Sequence, residues 1–255
     1  MTQKLKVGAV SYLNTRPLIY GFEQGRMKEE MDLVFDYPAK IASFLINDQV
    51  DIGLIPVAVI PDLAEYHIIS DYCIGCNGEV ASVCLFSEVP LHEIKTIVLD
   101  YQSKTSVALL KILLQEHWKI SPKLVAGEKN YENSIAGSTA GLVIGDRALQ
   151  QRIKSPYIYD LGTAWKEMTG LPFVFAAWVS NKKIDPAFIT DFNRAIELGL
   201  QSIDIIVQEQ NGCMYDLHQY YTQNISYPLD ENKKAAMKLF LNKINTSRKL
   251  MQQTV

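Results

Sequence analysis

The sequence has no strong excess of either charge and little glycine or proline, and each shortage excludes a class of protein. Its 255 residues carry 25 Lys and Arg against 28 Asp and Glu, a formal net charge of −3. This balance gives no basic footprint for a nucleic acid or an anionic membrane, so we expect neither as a partner. The 14 glycines and 10 prolines are too few for a fibrous or low-complexity chain.

Long apolar runs are also missing. No window approaches the roughly 20 apolar residues that a membrane span requires. The lysines at positions 4 and 6 lead directly into a short apolar strand at residues 7–10, without the roughly 7–15 apolar residues of a secretory signal. We therefore expect a cytoplasmic protein whose cysteines are thiols, namely Cys73, Cys76, Cys84 and Cys213.

The usual signals of metal and nucleophilic catalysis are absent. Cys73 and Cys76 form an isolated C-x-x-C pair, with neither a second pair nor paired histidines to complete a zinc site. The histidines are scattered, and the sequence has no G-x-S-x-G, G-x-G-x-x-G or H-E-x-x-H motif. We expect no metal and no cofactor, so any catalysis must work without the usual nucleophiles.

The sequence does contain an alternation of strand and helix patterns, which predicts an α/β protein. Helix 38–47 with strand 51–55 resembles helix 131–136 with strand 141–144, and this echo suggests two similar lobes. The predicted lobes are residues 1–92 with 176–255, and residues 93–175. We expect mixed sheets flanked by helices, and a ligand cleft between the lobes. The C-terminal helices should pack on the first lobe, with Lys233 and Lys234 on a solvated face.

A polar loop, SYLNT at residues 11–15, follows the first predicted strand. It opens a helix whose first turn contains Pro17. The carboxyl end of a strand is the ligand side of an open α/β sheet, and Asn14 offers both a donor and an acceptor there. The alternative is that Asn14 or Thr15 only caps the helix.

A second polar loop, DYQSKTS at residues 100–106, also lies between a strand and a helix. The hydroxyls of Ser103, Thr105 and Ser106 stand beside unpaired backbone N–H groups, a composition suited to a carboxylate or phosphate. The loop lacks the glycine spacing of a P-loop, which disfavours a nucleotide phosphate. A well-capped helix is the alternative explanation.

Two turns supply further candidates for a ligand site. One contains Asn77 and Gly78, with Ser82 beyond it, and the other is Ile144-Gly145-Asp146. Gly145 permits close approach of the backbone, and Asp146 either caps its own helix or contacts a polar ligand group.

Several of these segments together resemble the chorismate dehydratase family of the futalosine route to menaquinone. The resemblance spans most of residues 5–180. It is carried by VGAVSYLNTRPL (7–18), DIGLIPV (51–57), SDYCI (70–74), Asn77-Gly78, Ser82-Val83 and DYQSKTS (100–106).

The resemblance implies a type 2 periplasmic-binding-protein-like fold and a reaction that removes water from chorismate, giving 3-[(1-carboxyvinyl)oxy]benzoate. It implies that Asn14 holds the reacting centre and that Ser82 hydrogen-bonds the substrate, as the catalytic pair. Ser103, Thr105 and Ser106 would bind one substrate carboxylate, and Ile144, Gly145 and Asp146 would line the opposite wall. The remaining implied substrate contacts are Tyr12, Thr15, Pro56, Asn77 and Gly78.

Alternatives remain open at this point. A non-catalytic protein of the same fold would bind a small anion. The sister enzyme, 1,4-dihydroxy-6-naphthoate synthase, typically has a Ser-Pro-Cys-Pro-Asn-Asp loop where this chain has SYLNT. The proton acceptor is also open: our hypothesis is the substrate's own side-chain carboxylate, and Asp100 and Asp146 are the protein alternatives.

Overall fold

A computed structural model of the chain describes residues 4–210 and 215–253. It divides into two compact units. The first unit comprises Met1–Gly75 and Phe175–Leu229, and the second comprises Cys76–Val174 and Asp230–Val255.

The regular elements alternate along the chain between strands and helices. The strands are β1 (Leu5–Val10), β2 (Met31–Asp36), β3 (Ile52–Pro56), β4 (His67–Cys76), β5 (Val83–Ser87), β6 (Thr96–Leu99), β7 (Lys123–Ala126), β8 (Thr139–Ile144), β9 (Tyr157–Asp160), β10 (Phe173–Ser180) and β11 (Ser226–Pro228). The α-helices are α1 (Arg16–Glu23), α2 (Pro38–Ile46), α3 (Lys104–Ile112), α4 (Asp146–Gln151), α5 (Leu161–Thr169), α6 (Pro186–Gln201), α7 (Ile203–Glu209), α8 (Leu217–Gln219) and α9 (Glu231–Gln253). Short 3₁₀ segments occur at Leu13–Thr15, Val57–Asp62, Leu91–Glu93 and Tyr131–Ser134, and π-helical turns at Leu113–Trp118 and Tyr220–Asn224.

The first unit is built on a mixed sheet with the strand order β11-β4-β10-β3-β1-β2. β1 runs parallel to β2 and to β3, whereas β10 is antiparallel to β3. β3 and β10 are buried along their whole length, which explains their continuous apolar sequences. Because β1 and β3 are parallel, their carboxyl ends lie at the same edge of the sheet.

Helices α1 and α6 of the first unit pack with their backbones in close approach. A Cβ atom on Gly21 would lie 2.0 Å from the carbonyl oxygen of Ala195, and one on Gly199 would lie 2.0 Å from that of Pro17. Glycine is therefore required on both helices, and this contact fixes the helix that follows the β1 loop.

The second unit is built on a mixed sheet with the order β7-β6-β8-β5-β9. β6 is parallel to β7 and β8, and β5 is antiparallel to β8 and β9. The residues after β6, after β8 and after β9 therefore lie at the same edge as the residues before β5. We call this edge the second polar edge.

The two units divide the chain differently from the predicted lobes. β5 pairs with β8 and β9, so residues 76–92 belong with the second unit rather than with residues 1–75. α9 also groups with the second unit, because the Phe240 ring packs on Trp165 and Phe173 at centroid distances of 6.0 and 4.9 Å. Lys233 on this helix is only 2 % exposed, with Nζ 3.6 Å from an Asp230 carboxylate oxygen. The predicted solvated face was therefore wrong for Lys233.

Some elements differ from the local patterns. The patterns indicate no element at β2, α5 or β11, and they indicate an all-helical C-terminal region that β11 interrupts. The local patterns predict a helix that begins at Pro56, but the structure has a 3₁₀ segment there. They also predict a helix over residues 186–208, which breaks at Ser202. A further predicted helix, over residues 214–222, begins outside the described residues.

The cysteines that the structure describes, Cys73, Cys76 and Cys84, are buried thiols. Cys213 lies outside the described residues. Throughout residues 4–210 and 215–253, no helix combines the length and apolar character that a bilayer crossing requires.

Candidate functional site

The loop between β1 and α1 places Asn14 and Thr15 at the carboxyl end of a central strand of the first unit. The Thr15 N–H donates to the carbonyl oxygen of Tyr12 at 3.0 Å, which closes the 3₁₀ turn. The Thr15 hydroxyl donates to Asn14 Oδ1 at 3.3 Å, and Thr15 makes no side-chain capping bond to α1. Thr15 thus occupies the N-cap position of α1, as the capping alternative predicts, but without a side-chain capping bond.

Asn14 keeps part of its hydrogen-bonding capacity unused. Its backbone carbonyl accepts from the Tyr227 hydroxyl at 3.1 Å. Burial raises the pKa of Tyr227 well above its ordinary value, so this phenol stays protonated and remains a donor. No acceptor among the described residues lies within hydrogen-bond distance of Asn14 Nδ2, although Asn14 is only 8 % exposed. Its amide is therefore fixed in position with two N–H donors to offer.

Pro56 and Tyr12 are the other predicted residues of the first unit. Pro56 ends β3 and is buried, and Tyr12 is half-buried at the start of the β1 loop. The parallel register pairs Val7 with Ile52, so both residues belong to the same sheet edge as Asn14. We call this edge the first polar edge.

Ser82 and Gly145 are neighbours at the second polar edge. The Gly145 N–H donates to the carbonyl oxygen of Ser82 at 2.8 Å, and Val83 pairs with Ile144 across the two strands. The Ser82 side chain is buried, and its hydroxyl lies 3.5 Å from the Val80 carbonyl oxygen, a long hydrogen bond. The structure thus joins two segments that the sequence indicated separately.

Gly145 occupies the N-cap position of α4 in a conformation that is essentially restricted to glycine, with φ 62° and ψ −147°. Asp146 is the first residue inside α4, where its charge favours the positive end of the helix dipole. Asp146 therefore does not occupy the cap position of its own helix.

The residues Ser103, Thr105 and Ser106 form the start of α3. Ser103 caps the helix: its hydroxyl accepts from the Ser106 N–H at 3.2 Å and lies 3.0 Å from the Ser106 hydroxyl. All three residues are buried, at 8 %, 0 % and 1 % exposure. The capping alternative is thus realised at Ser103, while the helix N-terminus still favours an anion at this edge.

Asp100 is the centre of a buried charge cluster at the second polar edge. One of its oxygens accepts from the Gln102 N–H at 2.6 Å, and the other accepts from the Tyr131 hydroxyl at 2.8 Å and from Arg147 Nη2 at 2.6 Å. Burial raises the pKa of Asp100, opposed by the Arg147 charge and by these hydrogen bonds. Because its oxygens already accept several bonds, Asp100 is poorly placed to take a proton from a ligand.

Arg147 connects the two predicted segments of the second unit. Its guanidinium also donates to Gln102 Oε1 at 2.8 Å, and it lies 5.5 and 5.6 Å from the ring centroids of Tyr101 and Tyr131. The loop after β6 is thereby tied to the first turn of α4. No local motif marks Arg147 or Tyr131 in the sequence, because their contacts depend on the strand order of the sheet.

The Asn77–Gly78 turn lies against helix α5. Lys166 Nζ donates to the carbonyl oxygen of Asn77 at 3.1 Å, and Gly78 has the left-handed φ of 123°. Asn77 is exposed and Gly78 is half-buried. No group of three or more His, Cys, Asp or Glu side chains in the described part of the chain could hold a metal ion.

Comparison with known proteins adds to this geometry. The sequence model of a family described as menaquinone biosynthesis matches residues 5–246. A chorismate dehydratase of Thermus thermophilus is 26 % identical and covers 92 % of this chain and 93 % of its own length. A chorismate dehydratase of Campylobacter jejuni is 25 % identical, with 92 % and 95 % covered. These matches confirm the resemblance found in the sequence.

A solved structure from Candida albicans, described as exhibiting the generic periplasmic binding protein fold, matches with a TM-score of 0.63. It is 15 % identical and covers 96 % of this chain and 90 % of its own. At this identity the likeness concerns the fold alone. It confirms the predicted α/β fold of the periplasmic-binding-protein kind, with mixed sheets flanked by helices.

Proposed function

The chain belongs to the menaquinone-biosynthesis family, and from that premise we propose that it converts chorismate to 3-[(1-carboxyvinyl)oxy]benzoate and water. One observation carries the proposal: two relatives named for this activity match nearly the whole chain. The protein is then an enzyme acting on a small molecule, and its class is that of a carbon–oxygen lyase that releases water.

The chemistry asks the protein for position rather than for a redox partner. The ring hydroxyl of chorismate leaves with its bonding electrons, and the neighbouring ring carbon loses its proton. The electrons of that C–H bond complete the aromatic ring, and the proton and hydroxide leave as one water. Because aromatisation supplies a large driving force, correct placement of the reacting groups accounts for much of the help that is needed.

Asn14 is proposed to hold the reacting centre. Its fixed amide has N–H donors that no described residue uses, and such donors stabilise negative charge that develops on a departing oxygen. Ser82 is proposed to hydrogen-bond the substrate nearby. The remaining substrate contacts proposed at the first polar edge are Tyr12, Thr15 and Pro56.

The second polar edge is proposed to bind one of the two substrate carboxylates. The N-terminus of α3, with Ser103, Thr105 and Ser106, supplies a positive dipole end and hydroxyl groups. Asn77 and Gly78, together with Ile144, Gly145 and Asp146, are proposed to line the substrate.

The substrate's own side-chain carboxylate is proposed to take the ring proton. Asp100 is the poorer candidate for proton acceptor, because its oxygens already accept hydrogen bonds and form an ion pair with Arg147. Asp146 is the protein alternative. If Asp146→Asn abolished turnover and left substrate affinity intact, Asp146 would replace the substrate carboxylate as the acceptor.

Incubating the purified protein with chorismate tests the proposal. We expect a new aromatic absorbance and a product 18 mass units lighter than the substrate, since one water leaves. Folded protein that binds chorismate without product would instead indicate a small-anion-binding protein. Protein that neither binds nor converts chorismate would direct the search to the later enzyme of the pathway. A cytoplasmic location stays a prediction.

A further inference from the structure

Asp160 makes more hydrogen bonds than a helix cap requires. It is the last residue of β9 and the N-cap of α5, and it pairs with Cys84 across the β5–β9 ladder. One carboxylate oxygen accepts from the Gly162 and Thr163 N–H groups at 2.9 and 3.0 Å, which completes the cap. An N-cap needs no second oxygen.

The second oxygen of Asp160 binds the backbone in front of Ser82. It accepts from the Val80 N–H at 3.1 Å and from the Ala81 N–H at 2.8 Å. The first oxygen also lies 3.1 Å from the Val80 nitrogen. A carboxylate can accept hydrogen bonds on both oxygens. An asparagine at this position would instead turn its own NH₂ group towards one of the two pairs of backbone N–H donors.

The segment that Asp160 holds is strained. The Ser82 N–H donates to the Val80 carbonyl oxygen at 2.7 Å, a three-residue turn, and the central Ala81 has the left-handed φ of 61°. This is the rarer and less favourable form of such a turn, which persists only where the surroundings fix it. Asp160 accepts both N–H groups of the turn, while the Ala81 carbonyl oxygen accepts from Arg152 Nη1 at 3.2 Å and the Ser82 carbonyl oxygen from the Gly145 N–H at 2.8 Å.

Helix α5 also approaches the neighbouring Asn77–Gly78 turn. A Cβ atom on Gly162 would lie 2.4 Å from the Gly78 carbonyl oxygen and 2.6 Å from Cys76 Sγ, so only glycine fits there. The start of α5 therefore approaches this segment at Cys76 and Gly78 as well as at Val80 and Ala81.

We infer that Asp160 is a positioning residue for the dehydration: its second carboxylate oxygen holds the Val80–Ala81 turn and thereby places Ser82. The inference rests on the proposed function, because it takes Ser82 as a substrate-contacting residue. If Asp160 only capped α5, its second carboxylate oxygen would be dispensable. A shorter side chain that still caps α5 therefore distinguishes capping from positioning of Ser82.

Asp160→Ser separates the two roles. The serine hydroxyl can still cap α5 but cannot also bind Val80 and Ala81. We expect kcat for chorismate to fall at least about tenfold while KM changes less than about threefold, because a misplacement near 1 Å can cost about 10²-fold in rate. Amide hydrogen exchange at Val80 and Ala81 should rise in the same variant.

Asp185→Ser is the matched control. Asp185 caps α6 by accepting from the Ala187 N–H at 2.8 Å, and its carboxylate accepts no hydrogen bond from another loop among the described residues. Its variant should keep wild-type kcat and wild-type exchange at Val80 and Ala81. Unchanged kcat in Asp160→Ser would overturn the inference, as would a loss of kcat of the same size in both variants.

Two further outcomes stay decisive. If Asp160→Ser does not fold, exchange is measured in the wild-type protein: protection of Val80 and Ala81 like that of β5 amides supports the inference, and exchange at the rate of an open loop contradicts it. If the wild-type protein makes no product from chorismate, the proposed function fails. The exchange data in the two variants would then still decide whether Asp160 holds the turn.

Discussion

The two polar edges use their buried polar groups in opposite ways. At the first polar edge, the Asn14 amide is held in place but keeps N–H donors that no described residue accepts. At the second polar edge, Asp100 and Asp160 each accept several hydrogen bonds from protein groups, and the Ser103 hydroxyl caps a helix.

This difference separates polar groups that are available to bind a ligand from polar groups that stabilise the fold, which we call braces. A polar group with unused donors can be removed with little cost to folding, but any ligand contact it makes is lost. A buried carboxylate that pairs with several donors is costly to disturb, because its partners are left without hydrogen bonds. Removing the Asn14 amide at the first edge should therefore mainly lower turnover, and removing the ion-pair partner of Asp100 at the second edge should mainly lower stability.

The largest effect on turnover should come from Asn14→Ala. We expect kcat for chorismate to fall about 10²–10³-fold, the loss seen when one donor to a developing oxyanion is removed. The free energy of unfolding should fall by only about 1 kcal/mol, because the buried Thr15 hydroxyl loses one long hydrogen bond. Steady-state kinetics and urea unfolding measure the two quantities.

Asn47→Ala is the control for Asn14→Ala. Asn47 is an exposed asparagine of the same unit whose Nδ2 donates only within helix α2 and its end, to Ser43. Its variant should keep wild-type turnover. An Asn14 variant that unfolds easily, or that turns over normally, would remove the contrast between the edges.

The largest effect on stability should come from Arg147→Met. The substitution leaves the buried Asp100 carboxylate without its charge partner, and breaking a buried pair costs about 3–5 kcal/mol. We expect the lower end, about 3 kcal/mol, because the Arg147 side chain is 24 % exposed. Urea unfolding gives the value.

The double variant Arg147→Met with Asp100→Asn tests the cause. Removing the charge of the carboxylate should recover part of the stability lost in Arg147→Met. If the double variant lost more stability than the two single variants lose together, the Asp100–Arg147 ion pair would not explain the loss in Arg147→Met. The ion pair would then not be what stabilises the second polar edge.

The fold was predictable from local patterns where one segment carries its own signal. The predicted strands 51–55 and 141–144 agree with β3 and β8 to within two residues at each end, and the predicted helix 38–47 begins at Pro38 as α2 does. The binding loop at Asn14 was likewise marked by a polar run directly after a buried strand.

The braces were not predictable, because their partners are far apart in the chain. Asp160 lies 80 residues from Val80, and Arg147 lies 47 residues from Asp100. Asp160 meets Val80 because β5 pairs with β9, and Arg147 meets Asp100 because β6 and β8 are neighbours in the same sheet. Helix α5 was missed for a related reason: Gly162 and two threonines weaken its helix propensity, and its formation depends on the buried Trp165 and the Asp160 cap.

A pH series sharpens the account of Asp100. Burial raises the pKa of Asp100 in the folded protein above its ordinary 3.8. The folded state then binds a proton more readily than the unfolded state, so this contribution to stability is complete below pH 3.8 and is lost as pH rises through the raised pKa. The stability of wild type relative to Asp100→Asn should therefore fall from pH 3.5 towards neutrality, measured by urea unfolding. A relative stability that rises over this range would mean that the Arg147 charge outweighs burial.

The smallest effect is expected at the buried thiols of Cys76 and Cys84 beside the second polar edge. We expect neither thiol to react with an alkylating reagent in the folded protein. Burial raises the pKa of both Cys76 and Cys84, and the nearby Asp160 charge raises it further, so little thiolate forms at pH 8. Iodoacetamide at this pH should leave both peptides unmodified in native protein and modify them fully in urea, as read by mass spectrometry. Rapid native labelling of Cys84 would show that the Val80–Ser82 segment opens, since Cys84 lies behind it with its thiol 3.4 Å from the Ala81 carbonyl oxygen. Faster labelling in Asp160→Ser than in Asp185→Ser would instead tie the closed state of this edge to the Asp160 carboxylate.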